Sequence, residues 1–175
     1  TFACRSTEVG KKIQHEIATD ALRIYQSEDV SGAELGGALK NVVAIACGIT
    51  IGAGLGDSAR AALMTRGYSE MCRMALALGA NPETLSGLSG LGDLSLTCMS
   101  EGSRNYRFGH ALGSGHQQGE QQTVEGKATA QAAVKLAQKL GLDMPITKAV
   151  NDLVSGRIDV AQATRMLMSR PQKEE

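Results

Sequence analysis

The stretch from Leu35 to Gly56, LGGALKNVVAIACGITIGAGLG, restricts the fold of this chain more than any other feature, because its one charge is Lys40 and its one amide is the adjacent Asn41. A span of about 20 apolar residues is long enough to cross a bilayer, so this run has to be tested as a membrane segment. It fails the test: Lys40 and Asn41 interrupt it early, six glycines thin it, and the unbroken part, Val42 to Leu55, has the length of a buried core helix. The run is therefore read as a helix through the middle of a core, with no membrane span. An ammonium among apolar neighbours is costly to desolvate, and burial favours the neutral amine. A lysine that gives and takes a proton near neutral pH is a general acid/base. On these residues alone a second reading stays open, in which Lys40 runs its aliphatic stem along the core and reaches water.

With 175 residues the chain can bury a substantial core. It starts at Thr1 with no arginine-flanked hydrophobic signal, which reads as the middle of a longer chain and supports neither export nor a targeting peptide. Eighteen basic residues balance eighteen acidic ones, and no basic stripe with interleaved aromatics appears, so nucleic acid and membrane surfaces are poor partners. Cys4, Cys47, Cys72 and Cys98 form no CxxC pair, and His15, His110 and His116 lack ligand spacing, so no metal or redox site is expected. Three of the cysteines lie in apolar stretches, as small hydrophobes do in a reducing compartment, and the expected location is the cytoplasm.

The first thirty residues differ in texture from the rest. Thr1–Cys4 reads as the end of a strand, Glu8–Thr19 as an amphipathic helix with Val9, Ile13 and Ile17 on one face, and Ala21–Tyr25 as a short strand, together a β-α-β remnant. SEDVSG then supplies turn residues, with Ser31 as the expected N-cap of the long helix. Beyond residue 31 the periodicity predicts helices near 32–54, 57–79, 82–87, 90–99, 103–113, 123–140, 145–155 and 159–169. Pro82 and Pro145 sit at helix starts, Asp57 and Asp159 are expected N-caps, and Gly79 and Gly141 are expected left-handed C-caps. Gly113–Gln122, GSGHQQGEQQ, is a loop by composition. The stretch GLGDSA, Gly54 to Ala59, matches the G-x-G-x-x-A form of a dinucleotide fingerprint, but the segment that should hold the second strand, MCRMALALG, is helical in period. Its glycines are read as a tight turn between two helices.

Three constellations carry chemistry besides Lys40. Asp93 and Thr97 are four apart, share a helix face, and follow a glycine-rich entry that would let a ligand approach the backbone. Arg104 and Asn105 follow a Gly-Ser turn, where a guanidinium and the free N–H groups of a helix start make an anion site suited to phosphate. Glu125 stands near a helix N-terminus, where a carboxylate complements the macrodipole. Taken singly, each also has a plain structural reading as a capped helix or a solvated side chain.

In chain order ELGGALKNVVAIACGI, TRGYSEM, SGLGDLSLTC, SRNYRFG, TVEG and MPIT resemble the C-terminal domain of bacterial NAD(P)-dependent glycerol-3-phosphate dehydrogenases. The resemblance covers the whole chain. It implies a mainly α fold, the helical substrate domain of the 6-phosphogluconate-dehydrogenase-like C-terminal type in residues 31–175, preceded in residues 1–30 by the last β-α-β portion of a Rossmann domain. It also implies interconversion of sn-glycerol 3-phosphate and dihydroxyacetone phosphate with NADH or NADPH, for glycerophospholipid synthesis. Lys40, from the A-x-K-N motif with Asn41, would be the proton acceptor for the C2 hydroxyl, and Asp93 and Thr97 the substrate-orienting pair. Ser103, Arg104 and Asn105 would hold the substrate phosphate, Arg104 also lying near the cofactor. Thr123 and Glu125 fall where the family's V-x-E contacts the nucleotide, Thr123 departing from the usual valine. The glycine-rich nucleotide loop and most of the Rossmann sheet are missing from the sequence, so this chain alone is expected to be inactive.

Two rivals stand beside that reading. Other β-hydroxyacid dehydrogenases place asparagine four residues after the lysine, where this chain has Ala44. A catalytically silent dimerisation module, or a homodimer of the enzyme itself, would use the small-residue face of Gly36, Gly37, Gly48 and Gly52.

Overall fold

The computed structural model describes residues 1–116 and 124–168. Phe2–Ala3 (β1) and Gln26–Ser27 (β2) pair in parallel, with a helix over Thr7–Ile17 (α1) between them. This is the expected β-α-β unit, with its second strand displaced from 21–25. The reciprocal backbone bonds of Thr19 and Leu22, both 3.1 Å, close a turn that takes the start of the alternating stretch out of the ladder. Ser6 caps α1 through its Oγ, which accepts from Val9 N at 3.3 Å. Val9 and Ile17, which the sequence places on one face of α1, are 48% and 45% exposed.

From residue 30 every described element is helical: α2 (Val30–Gly52), α3 (Gly56–Ala77), α4 (Pro82–Ser86), a π-helical turn (Leu88–Gly92), α5 (Asp93–Met99), α6 (Arg104–Gly113), α7 (Glu125–Leu140), α8 (Pro145–Val154) and α9 (Val160–Met168). The GLGDSA stretch runs from the turn after α2 into the first turn of α3, with Gly54 and Gly56 at φ 74° and 84°, so the fingerprint match has a helix and no strand in front of it. Gly79 and Gly141 adopt φ 78° and 65° at helix ends, and Pro82 and Pro145 open α4 and α8. Asp159 exchanges bonds with Gln162 at 2.8 and 2.6 Å, a capping box at the start of α9. The Gly113–Gln122 loop begins at the end of α6, and its residues from 117 lie outside the described residues.

Two expected caps are replaced. Asp29, not Ser31, caps α2: its Oδ1 accepts from Gly32 N and its Oδ2 from Asn81 N, each at 2.8 Å. One carboxylate thereby ties the start of α2 to the residue that caps α4, which a single hydroxyl cannot do. Although partial burial raises it, the bonds from Gly32, Asn81 and Thr84 hold the Asp29 carboxyl below its ordinary range. Asp57 sits in the first turn of α3 and pairs with Arg60 at 2.9 Å, because the glycine turn brings the chain into α3 through Leu55.

Helix α2 is the axis of the bundle. It is long and apolar enough to cross a membrane, yet its apolar surface is covered by α3, α5, α6, α7 and α8 of the same chain, and Ala44, Ile45 and Cys47 are wholly buried. Its closest neighbour is α6, and the crossing is built from glycine on both sides. A Cβ on Gly48 or Gly52 would stand 2.1 Å from the carbonyl oxygen of Tyr106 or His110; one on Gly109 or Gly113 would stand 2.1 or 2.3 Å from that of Ile45 or Ile49. The small-residue face considered for dimerisation is thus occupied, at Gly48 and Gly52, within the chain. Gly48→Ala is expected to destabilise the protein by about 1–3 kcal/mol, the usual cost of forcing a methyl group into a filled core. Denaturant unfolding measures this, and an unchanged midpoint would show that α6 can retreat without loss.

Glu70, a residue the sequence analysis did not single out, joins two of the motifs quoted above. It is 3% exposed on α3, and its carboxylate accepts from Ile146 N, Thr147 N and Thr147 Oγ1 at 2.6, 3.0 and 2.8 Å. A buried carboxylate from α3 therefore caps the proline-led start of α8. Burial pushes its carboxyl above the ordinary range, while the three donors and Arg73 pull the other way.

Candidate functional site

Helices α2, α5 and α6 and the start of α7 enclose an open polar cleft of about 580 Å³. Lys40 enters it from α2, and Asp93, the first residue of α5, meets it: Lys40 Nζ donates to Asp93 Oδ2 at 2.5 Å. The apolar run predicts a largely buried lysine, and the Lys40 side chain is 20% exposed, largely but not wholly covered. Gly37, almost one turn earlier on the same helix, accounts for the remaining exposure, since a Cβ placed there would meet nothing within 4 Å and the cleft stays open over the ammonium. Asn41 also lines the cleft, its Nδ2 donating to Gly37 O at 3.3 Å.

The π-helical turn sets Asp93 at the mouth of α5. Gly90 in this turn serves packing: a Cβ there would stand 2.0 Å from the Leu85 carbonyl oxygen, so Gly90 lets the turn lie on α4. Thr97 is buried and donates to the Asp93 carbonyl oxygen at 2.6 Å, with Asp93 Oδ1 at 3.4 Å, so its hydroxyl is committed to Asp93.

On the opposite wall Ser103 caps α6, its Oγ accepting from Tyr106 N at 3.2 Å. A hydroxyl that accepts in this way keeps its own proton for a further partner. The first N–H groups of α6 have no carbonyl partner within the helix, and the Arg104 guanidinium stands beside them, so positive potential collects here. Arg104 is ion-paired with Glu125, the first residue of α7, and both are about half exposed, at 53% and 44%. The Glu125 carboxyl is held below the usual range by its own backbone N–H at the helix start, against some desolvation, and by Arg104 and Asn105. Asn105 is 4% exposed and braces the two helix starts: its Oδ1 accepts from Gly126 N at 3.0 Å and its Nδ2 donates to Glu125 Oε2 at 3.4 Å.

The structure thus brings Lys40, Asn41, Asp93, Thr97, Ser103, Arg104, Asn105 and Glu125 to one cleft, while Thr123 lies outside the described residues. Ser100 and Leu96 also line it and were not singled out in the sequence. The period of α5 would have found Leu96, which lies one turn from Asp93. Among the described residues no cluster of His, Cys, Asp and Glu suits a metal ion.

The polar cleft of this helical bundle thus sets a lysine–carboxylate pair against an arginine-bearing helix start. The chain belongs to the family described as NAD-dependent glycerol-3-phosphate dehydrogenase C-terminus, whose model matches residues 29–165. It is 60% identical, over all of its 175 residues and 57% of the relative, to the glycerol-3-phosphate dehydrogenase [NAD(P)+] of Cereibacter sphaeroides. The corresponding protein of Ruegeria is 59% identical, with the chain covering 55% of it. The crystal structure of the Coxiella burnetii glycerol-3-phosphate dehydrogenase superposes with a TM-score of 0.90 at 41% identity, over 96% of this chain and 53% of that one. The chain therefore spans little more than half the length of the curated relatives it matches.

Proposed function

We propose that the protein containing this chain interconverts sn-glycerol 3-phosphate and dihydroxyacetone phosphate with NADH or NADPH, and that residues 31–175 are its substrate domain while residues 1–30 close a dinucleotide-binding domain. The observation that carries this reading is that the Lys40–Asp93 pair and the Arg104 helix start open on one cleft. A three-carbon phosphoester needs both, one end to exchange a proton and the other to be held still.

In this reading Lys40 delivers a proton to the C2 oxygen on reduction and receives it from the C2 hydroxyl on oxidation. Asp93 fixes Nζ in place, and Thr97, bonded to Asp93, is a positioning residue. Ser103, with its free hydroxyl proton, Arg104 and the first N–H groups of α6 receive the phosphate. Asn105 keeps the starts of α6 and α7 in register, and Asn41 borders the substrate from α2. Of the described residues, Arg104 and Glu125 suit a dinucleotide, since a half-exposed guanidinium and carboxylate at the rim can meet its phosphate and its N–H or O–H groups. Thr123 stands two residues before Glu125 in sequence. When bound, the nicotinamide supplies the two-electron exchange with C2.

The ligand is a small molecule in this reading, with neither nucleic acid nor membrane as partner, and the setting is the cytoplasm, consistent with four unpaired cysteines. A homodimer would form through a face other than Gly48 and Gly52. The full-length protein is expected to oxidise NADH or NADPH with dihydroxyacetone phosphate and to turn over unphosphorylated dihydroxyacetone far more slowly. Equal rates for the two ketones in a reduced-nicotinamide absorbance assay would overturn the assignment.

A further inference from the structure

We propose that the chain has a second ligand site, an apolar pocket at the far end of α2 that takes a short alkyl carboxylate, with Arg66 holding the acid group. The pocket has a volume of about 170 Å³ and lies between α2, α3, α8 and α9. Helix α9 packs on α8 and closes one side of the pocket. Its floor is Ile49, Ala149 and Leu153, all buried. Counting from Lys40 to Ile49 at 1.5 Å per residue, it is about 14 Å along α2 from the polar cleft, and the two sites share no lining residue.

The pocket is built dry. Its two threonines turn their hydroxyls into their own helices, Thr50 Oγ1 to Ala46 O and Thr164 Oγ1 to Val160 O, each at 2.9 Å, and so leave apolar surface toward the space. Apolar cavities of roughly 150 Å³ stay free of water and accept a six-carbon ring such as benzene. A pocket of this size therefore suits an apolar body of about six carbons.

Charge decides the head group. Ala59, Ala62, Leu63 and Arg66 follow one face of α3 down to the rim of the pocket. Arg66 is exposed and forms no ion pair with any described residue, whereas Arg60, Arg104 and Arg157 each have a carboxylate partner. Among the described residues no acidic side chain lines the pocket. A guanidinium without a carboxylate, at the mouth of a dry apolar space, is complementary to an amphiphile with one negative head, and a carboxylate matches its planar fork.

The test uses octanoate and n-octanol as probes on the full-length protein, followed by titration calorimetry. Octanoate is expected to bind saturably, one per chain. Arg66→Gln should weaken it by about ten- to two-hundred-fold, the range for losing a charge-assisted bond, and leave n-octanol unchanged. Ala62→Phe, which fills the space from an exposed position, should abolish binding of both with unchanged circular dichroism and melting temperature. The proposal is overturned if octanoate shows no saturable binding, if Arg66→Gln weakens octanol as much as octanoate, or if Ala62→Phe leaves either affinity intact. A dimer in sedimentation that Ala62→Phe dissociates would also overturn it, since the pocket would then be an interface between copies of the chain.

Discussion

Replacing Lys40 by alanine in the full-length protein is expected to lower kcat by something on the order of 10²–10⁴-fold, the range for loss of a general acid/base, with a smaller change in KM. The expectation rests on position: among the described residues Lys40 is the only amine lining the cleft, and Asp93 holds its Nζ at the edge of the open space. The fold should survive, because the ammonium is partly solvated and its removal leaves Asp93, 36% exposed, within reach of water. Lys40→Arg separates charge from proton transfer. The arginine restores a cation for Asp93 but cannot deprotonate, so activity should stay near that of the alanine variant. Steady-state kinetics with dihydroxyacetone phosphate and NADH decide the matter. Near-normal turnover in Lys40→Ala would make Lys40 a structural partner of Asp93 and nothing more, and recovery in Lys40→Arg would show that charge alone is needed.

Much of the bundle was legible because helices announce themselves locally. Gly79 and Gly141, Pro82 and Pro145, and the Asp159 cap act within a turn of their own position, and each does in the structure what its neighbours imply. The errors lie where a distant residue decides. Asp29 outcompetes Ser31 as a cap because Asn81 N offers its second oxygen a partner 52 residues away. Glu70 reads as one acid among many until α8 arrives with two free N–H groups. The glycines of α2 were seen as a contact face, but that α6 would answer with Gly109 and Gly113 depends on how the two helices cross. At the candidate site, sequence pattern and resemblance named the residues and put Thr97 on the face of Asp93, yet could not show that the Thr97 hydroxyl is spent on the Asp93 carbonyl oxygen or that Asn105 is a buried brace. The exposure of Lys40 follows from the open space above Gly37, which local hydrophobicity does not encode.

Arg104→Ala in the full-length protein is expected to weaken dihydroxyacetone phosphate by about ten- to two-hundred-fold, the equivalent of losing roughly 1.5–3 kcal/mol of charge-assisted hydrogen bonding. The charges of the cleft explain why a single arginine should matter so much. Its lining carries two cations, Lys40 and Arg104, and two carboxylates, Asp93 and Glu125, each cation paired with one of them. In the proposed reading a phosphate would enter a cleft whose described lining carries no net charge, and would have to draw Arg104 away from Glu125. That exchange is feasible because Glu125 does not depend on the guanidinium alone, being held also by the start of α7 and by Asn105. Removing Arg104 takes away the phosphate's partner and leaves the Glu125 carboxylate facing it, so repulsion adds to the loss. Glu125→Gln should act in the opposite direction on the ketone phosphate, freeing Arg104 and tightening binding, whatever it does to the cofactor. Unphosphorylated dihydroxyacetone has no dianion to lose, and its poor turnover should barely respond to Arg104→Ala. Inhibition constants for inorganic phosphate, measured on the same variants, report the anion site without turnover. If Arg104→Ala impairs both ketones equally, or leaves phosphate inhibition unchanged, then Arg104 serves the cofactor or the scaffold, and the phosphate belongs elsewhere in the cleft.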